Sequence, residues 1–170
     1  MGILIENESV QLVRTETQDI PFVLQAEAEQ ENARYIGQWS PAQHTSALAD
    51  ADILHLLVKS NAGESVGYVI LRGLSSPDDS IEFMRLVITA KGFGYGKSVL
   101  SLIKKWCFEV QKAHRLWLDV REKNHRAQQV YQSQGFRREG ILRECVKVGT
   151  AYESLVVMAI VSGEYRGVGN

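Results

Sequence analysis

Apolar and polar residues alternate from Val10 to Glu16, the two-residue period of a half-buried strand. Asp19 can cap a helix, with Pro21 in its first turn, where a missing N–H costs little. The Ala-, Glu- and Gln-rich segment to about Ile36 suits that helix. Ser40-Pro41 repeats the cap-then-proline start and predicts a second short helix to about Ala51. Leu54 to Ser60 and Ser65 to Leu74 predict two strands, joined as a hairpin through Asn61-Ala62-Gly63-Glu64. Ser75 to Asp79 is a loop. Ile81 to Ile88 predicts a strand that runs into a glycine cluster and then a long amphipathic helix. In that helix Val99, Leu100, Ile103, Trp106, Cys107 and Val110 recur at helical spacing. Arg115 to Val120 is short and nearly all apolar, as a strand buried on both faces would be. A helix over about 126–134 stops at Gly135, a good left-handed terminator. Phe136 to Val148 and Ala151 to Val161 predict two last strands turning at Gly149-Thr150. Gly163 to Asn170 reads as a frayed tail.

The order is strand, two helices, three strands, helix, strand, helix, two strands. It predicts a mixed α+β (α/β) fold, with about seven strands in one sheet flanked by about four helices. A chain of 170 residues, 45% hydrophobic and 23% charged, fits a single domain over 1–170 with its core at about 10–162. A core of that size needs no metal or disulfide to hold it. Nineteen basic side chains stand against 20 acidic ones, a net charge of -1. No excess positive charge draws nucleic acid or an anionic membrane, and neither is expected as a partner. The apolar runs are far shorter than the roughly 20 residues a bilayer span needs, and the N-terminus lacks the basic segment of a secretory leader. Cys107 and Cys145 form no Cys-x-x-Cys pair, and His44, His55, His114 and His125 have no ligand spacing. No metal is expected, and the chain reads as cytoplasmic.

The sharpest local signal is Lys91-Gly92-Phe93-Gly94-Tyr95-Gly96-Lys97-Ser98, between a predicted strand and a helix. Glycines there let a ligand approach the backbone, and the free N–H groups of a helix start suit phosphate. A nucleotide P-loop needs a glycine at position 91, which is Lys91, and counting from Gly92 leaves the loop one residue short. A dinucleotide turn needs Gly-x-Gly-x-x-Gly, and the spacing here is Gly-x-Gly-x-Gly. A tight turn without a ligand is the plain structural alternative, at an entropic cost of up to about 1 kcal/mol per glycine.

Lys91-x-x-Gly94-x-Gly96 resembles the pyrophosphate-binding turn of the GNAT acyltransferases, Arg/Gln-x-x-Gly-x-Gly/Ala, with a lysine at the first position. Asn124-x-x-Ala127-x-x-x-Tyr131-x-x-x-Gly135-Phe136 is similar to that family's later motif. Glu139 to Glu144 and Tyr152-Glu153-Ser154 resemble the branch of ribosomal-protein N-terminal and spermidine acetyltransferases. The resemblance spans roughly 10–162. It implies a mostly antiparallel sheet whose two parallel middle strands splay apart. The implied reaction is transfer of an acetyl group from acetyl-CoA to a primary amine, with no metal. The acceptor would be a protein N-terminus or a small polyamine-like molecule, and a homodimer is allowed for. The alternative is a regulatory module that binds CoA and does no chemistry.

Carried onto this chain, the resemblance gives the pyrophosphate to the backbone of Lys91, Gly92, Phe93, Gly94, Tyr95, Gly96, Lys97 and Ser98. The backbone of Leu86, Val87 and Ile88 would bind the pantetheine arm opposite the strand Leu116 to Val120. Asn124 would bond the arm, although a helix-capping role explains it as well. Tyr131 would protonate the departing thiolate, although its spacing with Ala127 and Val130 also fits a buried helix face. Glu82 is the candidate base. Strict alternation puts it on one face with Met84, Leu86 and Ile88, where partial desolvation would raise its pKa. A bulge would flip that parity, and Arg85 could simply pair with a carboxylate, which would leave Glu82 a strand-start residue in solvent or in an ion pair. Cys107, on the apolar stripe, is expected to be inert, so the amine attacks directly. Glu27, Glu29, Glu31, Asp50 and Asp52 could attract a cationic amine, although a solvated helix face explains them better. Asn32, Tyr35 and Trp39 could line the acceptor pocket.

Overall fold

Val10 and Leu12 are fully buried, while Gln11 between them and Val13 after them are half-buried. The alternation at this point therefore builds a strand, β2 (Val10–Arg14), preceded by β1 (Ile3–Glu6). Further along lie β3 (Ile53–Ser60), β4 (Ser65–Arg72), β5 (Ser80–Ile88), β6 (Arg115–Arg121), β7 (Arg137–Val148) and β8 (Ala151–Val161). The helices are α1 (Ile20–Ala28), α2 (Pro41–Ala49), α3 (Tyr95–Lys105) and α4 (His125–Ser133). These are seen in a computed structural model that describes residues 2–29 and 37–167.

The eight strands form one sheet in the order β1-β2-β3-β4-β5-β6-β8-β7. Among the described residues β5 and β6 are the one parallel pair, and every other neighbouring pair is antiparallel. The eighth strand is the unexpected one. At four residues β1 is too short to show a period, and it exists as an edge paired to β2.

One face of the sheet packs on α3 and α4 through a large cluster that includes Leu12, Leu56, Val69, Leu71, Leu100, Ile103 and Leu116. The other face packs on α1 through Val23, Ala26, Leu57, Tyr68, Ile70 and Val87. Each fully buried aliphatic side chain stabilises the fold by roughly 1.5–3 kcal/mol relative to exposure.

Local chemistry explains where expectation and structure part. Ser40 caps α2 as its sequence implies: its Oγ accepts from the Gln43 N–H at 3.2 Å, and Gln43 Oε1 accepts from the Ser40 N–H at 2.8 Å. Asp19 does not cap α1 with its side chain. Its carboxylate reaches back to the Glu16 N–H at 2.9 Å and closes a 3-10 turn. α1 ends at Ala28, earlier than expected. Glu31, Asn32, Tyr35 and Ile36 lie outside the described residues. In α3 the apolar stripe holds through Cys107, but Val110 is 60% exposed. The helix widens into a π turn over Trp106–Val110, with Gln111 N–H bonding the Trp106 carbonyl at 2.9 Å. The extra residue rotates Val110 outward and brings Phe108 in. β6 is buried on one face only, through Leu116, Leu118 and Val120, while Trp117 and Asp119 are half-buried. The tail is not frayed at Tyr165, whose ring stacks on Phe108 with centroids 5.1 Å apart.

Candidate active site

β5 and β6 begin in register at Ser80↔Arg115, Ile81↔Leu116 and Glu82↔Trp117, and there the pairing stops. From Phe83 and Leu118 onward the two strands part, leaving a wedge-shaped cleft in the middle of the sheet. A cleft of this kind exposes backbone groups that an extended, peptide-like arm can pair with. On its other side β5 is bonded to β4 up to Thr89, whose N–H donates to the Val66 carbonyl at 2.8 Å. Strand alternation then sends the N–H and C=O of Val87 toward β4 and those of Leu86 and Ile88 into the cleft. Gly67 on β4 confirms the direction, since a Cβ there would lie 2.2 Å from the Val87 carbonyl oxygen. Of the three residues expected to serve the arm, Leu86 and Ile88 therefore face the cleft, and Val87 is engaged with β4.

The glycine turn follows directly. Gly94 adopts φ +73° as the N-cap of α3, a left-handed geometry that suits glycine. The first intrahelical bond runs from Ser98 N–H to the Gly94 carbonyl at 3.2 Å. The N–H groups of Tyr95, Gly96 and Lys97 therefore precede the helical ladder. A Cβ placed on Gly92, Gly94 or Gly96 would meet nothing within 4 Å, so the turn is open on its outer side. Lys91, Phe93 and Lys97 are exposed around it, with Phe93 stacked on Tyr95 at 5.4 Å. The donor set, its helix-end dipole and the surrounding lysines all fit a pyrophosphate.

Two side chains flank the root of the cleft, one on each face of the sheet. Tyr131, from α4, packs edge-on against Phe83 at 6.3 Å and against Phe136 at 5.8 Å. Burial pushes its phenol up to about 12, so it stays protonated and able to donate. Glu82 lies on the opposite face. The parity expected for it is overturned by a bulge. Ile70 pairs with Arg85 and Leu71 with Phe83, so Met84 is an extra residue in β5. Leu86 and Ile88 join the α3 face with Ile81 and Phe83, while Glu82 is left on the other. Glu82 is 8% exposed, and both Nε (2.8 Å) and Nη2 (2.6 Å) of Arg72 reach its Oε2. Burial raises its pKa, the Arg72 bond and charge pull it back, and the charge of Asp119 adds to the rise. Asp119, on β6 beyond the last β5–β6 pair, is raised by burial as well.

A family model described as acetyltransferase (GNAT) family matches residues 16–136, most of the chain and all of this site. The chain belongs to the GNAT acetyltransferase family. As a member it transfers an acetyl group from acetyl-CoA to an amine. Solved structures agree on the fold. The spermidine N-acetyltransferase of Vibrio cholerae, in complex with CoA and spermine, matches with a TM-score of 0.84 at 20% identity, over 94% of this chain and 99% of that one. Mutant forms of the same bacterium's spermidine/spermine N-acetyltransferase match with a TM-score of 0.81 at 23% identity, over 94% and 97%. A chimera of the Vibrio cholerae enzyme matches with a TM-score of 0.82 at 20% identity, over 92% and 97%.

In this acetyltransferase Asn124 is the N-cap of α4, directly before His125, and its Oδ1 accepts from the Ala127 N–H at 3.2 Å. The capping role is thus occupied by the oxygen, which leaves the side-chain NH2 as the group able to donate to a ligand. Cys107 is fully buried, and burial pushes its thiol up to about 12. A thiol so held is a poor nucleophile.

The acidic residues of the N-terminal half differ from expectation. Glu27 is not on a solvated face; it is 1% exposed. Its carboxylate accepts from Tyr68 Oη at 2.7 Å, from the Trp39 N–H at 3.2 Å and from Arg85 Nη1, and it lies 3.1 Å from His44 Nε2. His44 Nδ1 meets His55 Nε2 at 3.0 Å, and His55 Nδ1 meets Thr15 Oγ1 at 2.8 Å. Sequence reasoning missed this network. Its one signal was Glu27 falling beside Val23 and Ala26 on the apolar side of α1. Asp52 is tied into the loop after β4, accepting from the Ser75 N–H and hydroxyl. Asp50 lines a depression of about 500 Å³ with Trp39, Gln43, Ile53 and Arg72. That depression opens on the α2 side of the sheet, where Arg72 meets Glu82.

Proposed function

We propose that this acetyltransferase modifies a primary amine, on a small polyamine-like molecule or a protein N-terminus, that enters from the α2 side. The pantetheine arm of acetyl-CoA lies in the wedge between β5 and β6. The observation that carries this reading is the end of β5–β6 pairing at Glu82 and Trp117, immediately before a glycine turn that opens a helix.

In this arrangement the N–H groups from Lys91 to Ser98 hold the pyrophosphate, and Leu86 and Ile88 pair with the arm. An amine with a pKa of about 10 arrives protonated. Glu82, directly or through water, takes one proton, and the nitrogen lone pair attacks the thioester carbonyl carbon. A cleft-facing N–H of β5 stabilises the oxygen of the tetrahedral intermediate. The C–S bond then breaks as Tyr131 donates its proton to the leaving sulfur, and the second proton of the attacking nitrogen passes through water to the Tyr131 phenolate, leaving a neutral amide and the CoA thiol. Trp39 and Asp50 line the way in. The fold shared with an enzyme crystallised with CoA and spermine supports a polyamine-like acceptor.

Thiol release measured over a panel of polyamines and peptides with free N-termini tests the acceptor class. Turnover with a primary amine in either group and none with secondary amines is expected. Release of CoA only with hydroxyl acceptors or water would refute the assignment.

A further inference from the structure

The cleft works only if particular peptide groups of β5 point into it, and those groups are selected by a single inserted residue. At its base β5 is registered with β4 through Arg72↔Glu82 and Leu71↔Phe83, and above Met84 through Ile70↔Arg85 and Val69↔Leu86. With the bulge, Leu86 and Ile88 face the cleft. A strand continuing from Glu82 without it would exchange the roles: Val87 would face the cleft, and Leu86 and Ile88 would face β4. The side chains would exchange faces at the same time. Bulges interrupt their ladder and leave one residue unpaired, so something must hold the register beyond them.

Arg85 is the first residue after the bulge, 8% exposed, and its guanidinium ends on the Glu27 carboxylate. It also lies over the Trp39 ring, 5.1 Å from the centroid. Glu27 in turn is fixed by three further partners: Tyr68 on β4, His44 on α2 and the N–H of Trp39 just before α2. Burial alone would raise its pKa, but the bonds from His44 and Tyr68 and the charge of Arg85 outweigh that and hold it ionised. Arg85 is thus anchored to a carboxylate of α1 that cannot move without breaking contacts to α2, to β4 and to the Trp39 backbone.

We propose that Glu27 and Arg85 are positioning residues for acetyl transfer: their buried pair locks the bulge at Met84 and so decides which β5 peptide groups face the cleft. The inference rests on the reading that Leu86 and Ile88 receive the pantetheine arm. Neither residue touches substrate; both act through the strand.

The test compares Glu27→Gln/Arg85→Met, which removes both charges together, with Tyr68→Phe, which removes a bond to the same carboxylate but leaves the pair at the bulge. Arg85→Lys, which keeps the charge and shortens the reach, is made in parallel in case the double variant does not fold. Each is read by melting temperature, by KM for acetyl-CoA and for the amine, by kcat, and by the amide NMR signals of Leu86 and Ile88 with and without acetyl-CoA. Because a misplacement of about 1 Å can cost on the order of 100-fold, kcat/KM for acetyl-CoA is expected to fall at least about tenfold in the double variant and in Arg85→Lys. Displaced Leu86 and Ile88 signals should accompany that fall. Tyr68→Phe should lose melting temperature and keep kcat/KM within about twofold. A folded double variant or Arg85→Lys with unchanged kcat/KM overturns the inference. So does a loss in Tyr68→Phe that matches theirs at equal melting temperature. If acetyl-CoA leaves the Leu86 and Ile88 amides of the unmutated protein unmoved, the reading of the arm's place fails instead, and the two failures are told apart.

Discussion

Glu82 and Tyr131 flank the root of the cleft from opposite faces of the sheet. The Tyr131 ring meets Phe83 at 6.3 Å, and Glu82 is the residue before Phe83 on the other face. The proposed acid and base, so placed, can serve the leaving sulfur and the incoming nitrogen without competing for one proton. Tyr131→Phe keeps the packing on Phe83 and Phe136 and removes only the hydroxyl. It should lower kcat by at least about tenfold, general acids contributing roughly 10²–10⁴, with modest change in acetyl-CoA affinity. Stopped-flow turnover with calorimetric binding checks this, and unchanged kcat removes Tyr131 from the acid role.

The pH profile of kcat/KM should carry the signature of Glu82. Burial raises its pKa, so the acidic limb should lie above the ordinary carboxylate value of about 4.3. Glu82→Gln should abolish that limb along with most of the activity. Arg72→Met should move it to still higher pH, because the arginine favours the ionised carboxylate. A limb that survives in Glu82→Gln would transfer the role to Asp119, across the cleft.

The glycine turn separates folding from binding. Gly96 has open space around its Cβ position and no left-handed backbone. Gly96→Ala should leave melting temperature within about 1–2 °C, a surface change of under about 0.5 kcal/mol, yet weaken acetyl-CoA severalfold. Gly94→Ala, at φ +73°, should also destabilise by about 1 kcal/mol or more. Equal acetyl-CoA affinity in Gly96→Ala would mean that the ligand does not approach this backbone.

Asn124 has a capping oxygen and a free-standing amide, and two substitutions resolve them. Asn124→Ala should cost about 0.5–2 kcal/mol by loss of the cap. Asn124→Asp keeps the acceptor for Ala127 and should hold melting temperature, while acetyl-CoA affinity falls because the donor is gone. Calorimetry on both variants decides the matter; full affinity in Asn124→Asp confines the residue to capping.

The buried histidine pair predicts acid sensitivity. Burial, with the charges of His44 and Arg85, pushes His55 down to about 4 from an ordinary 6.5. The folded state thus prefers neutral His55. This contribution, on the order of 3 kcal/mol, is complete above pH 6.5 and is lost as pH falls from 6.5 through 4. Glu27, held below the ordinary 4.5, adds a loss at lower pH still. Melting temperature should be level from pH 8 to 7 and drop between 6.5 and 4, and His55→Asn should flatten that drop. A wild-type curve that is flat over this range contradicts the assignment.

Much of this was legible in the sequence, for physical reasons that differ by element. Ser40-Pro41, the Asn61–Glu64 turn and Gly135 carry their own local chemistry, and the structure places each where it was expected. The glycine cluster likewise announced a turn between a strand and a helix, and Gly94 opens that helix. What was illegible depends on partners distant in the chain. The bulge at Met84 is set by pairing to β4 and by Glu27, 58 positions from Arg85, so alternation alone assigned Glu82 to the wrong face. Glu27 looked like any acidic helix residue until Tyr68, His44 and Arg85 converged on it. Val110 was misread because a π turn breaks the 3.6-residue period.

The central claim is that the turn around Gly94 and the parted edge of β5 grip acetyl-CoA through their main-chain amides. Titrating the ¹⁵N-labelled protein with acetyl-CoA and following its amide signals tests that claim most directly. Saturable shifts at Gly92 to Ser98 together with Leu86 and Ile88, larger than at Val87, are predicted. Signals in both segments that stay in place at saturating ligand would contradict it.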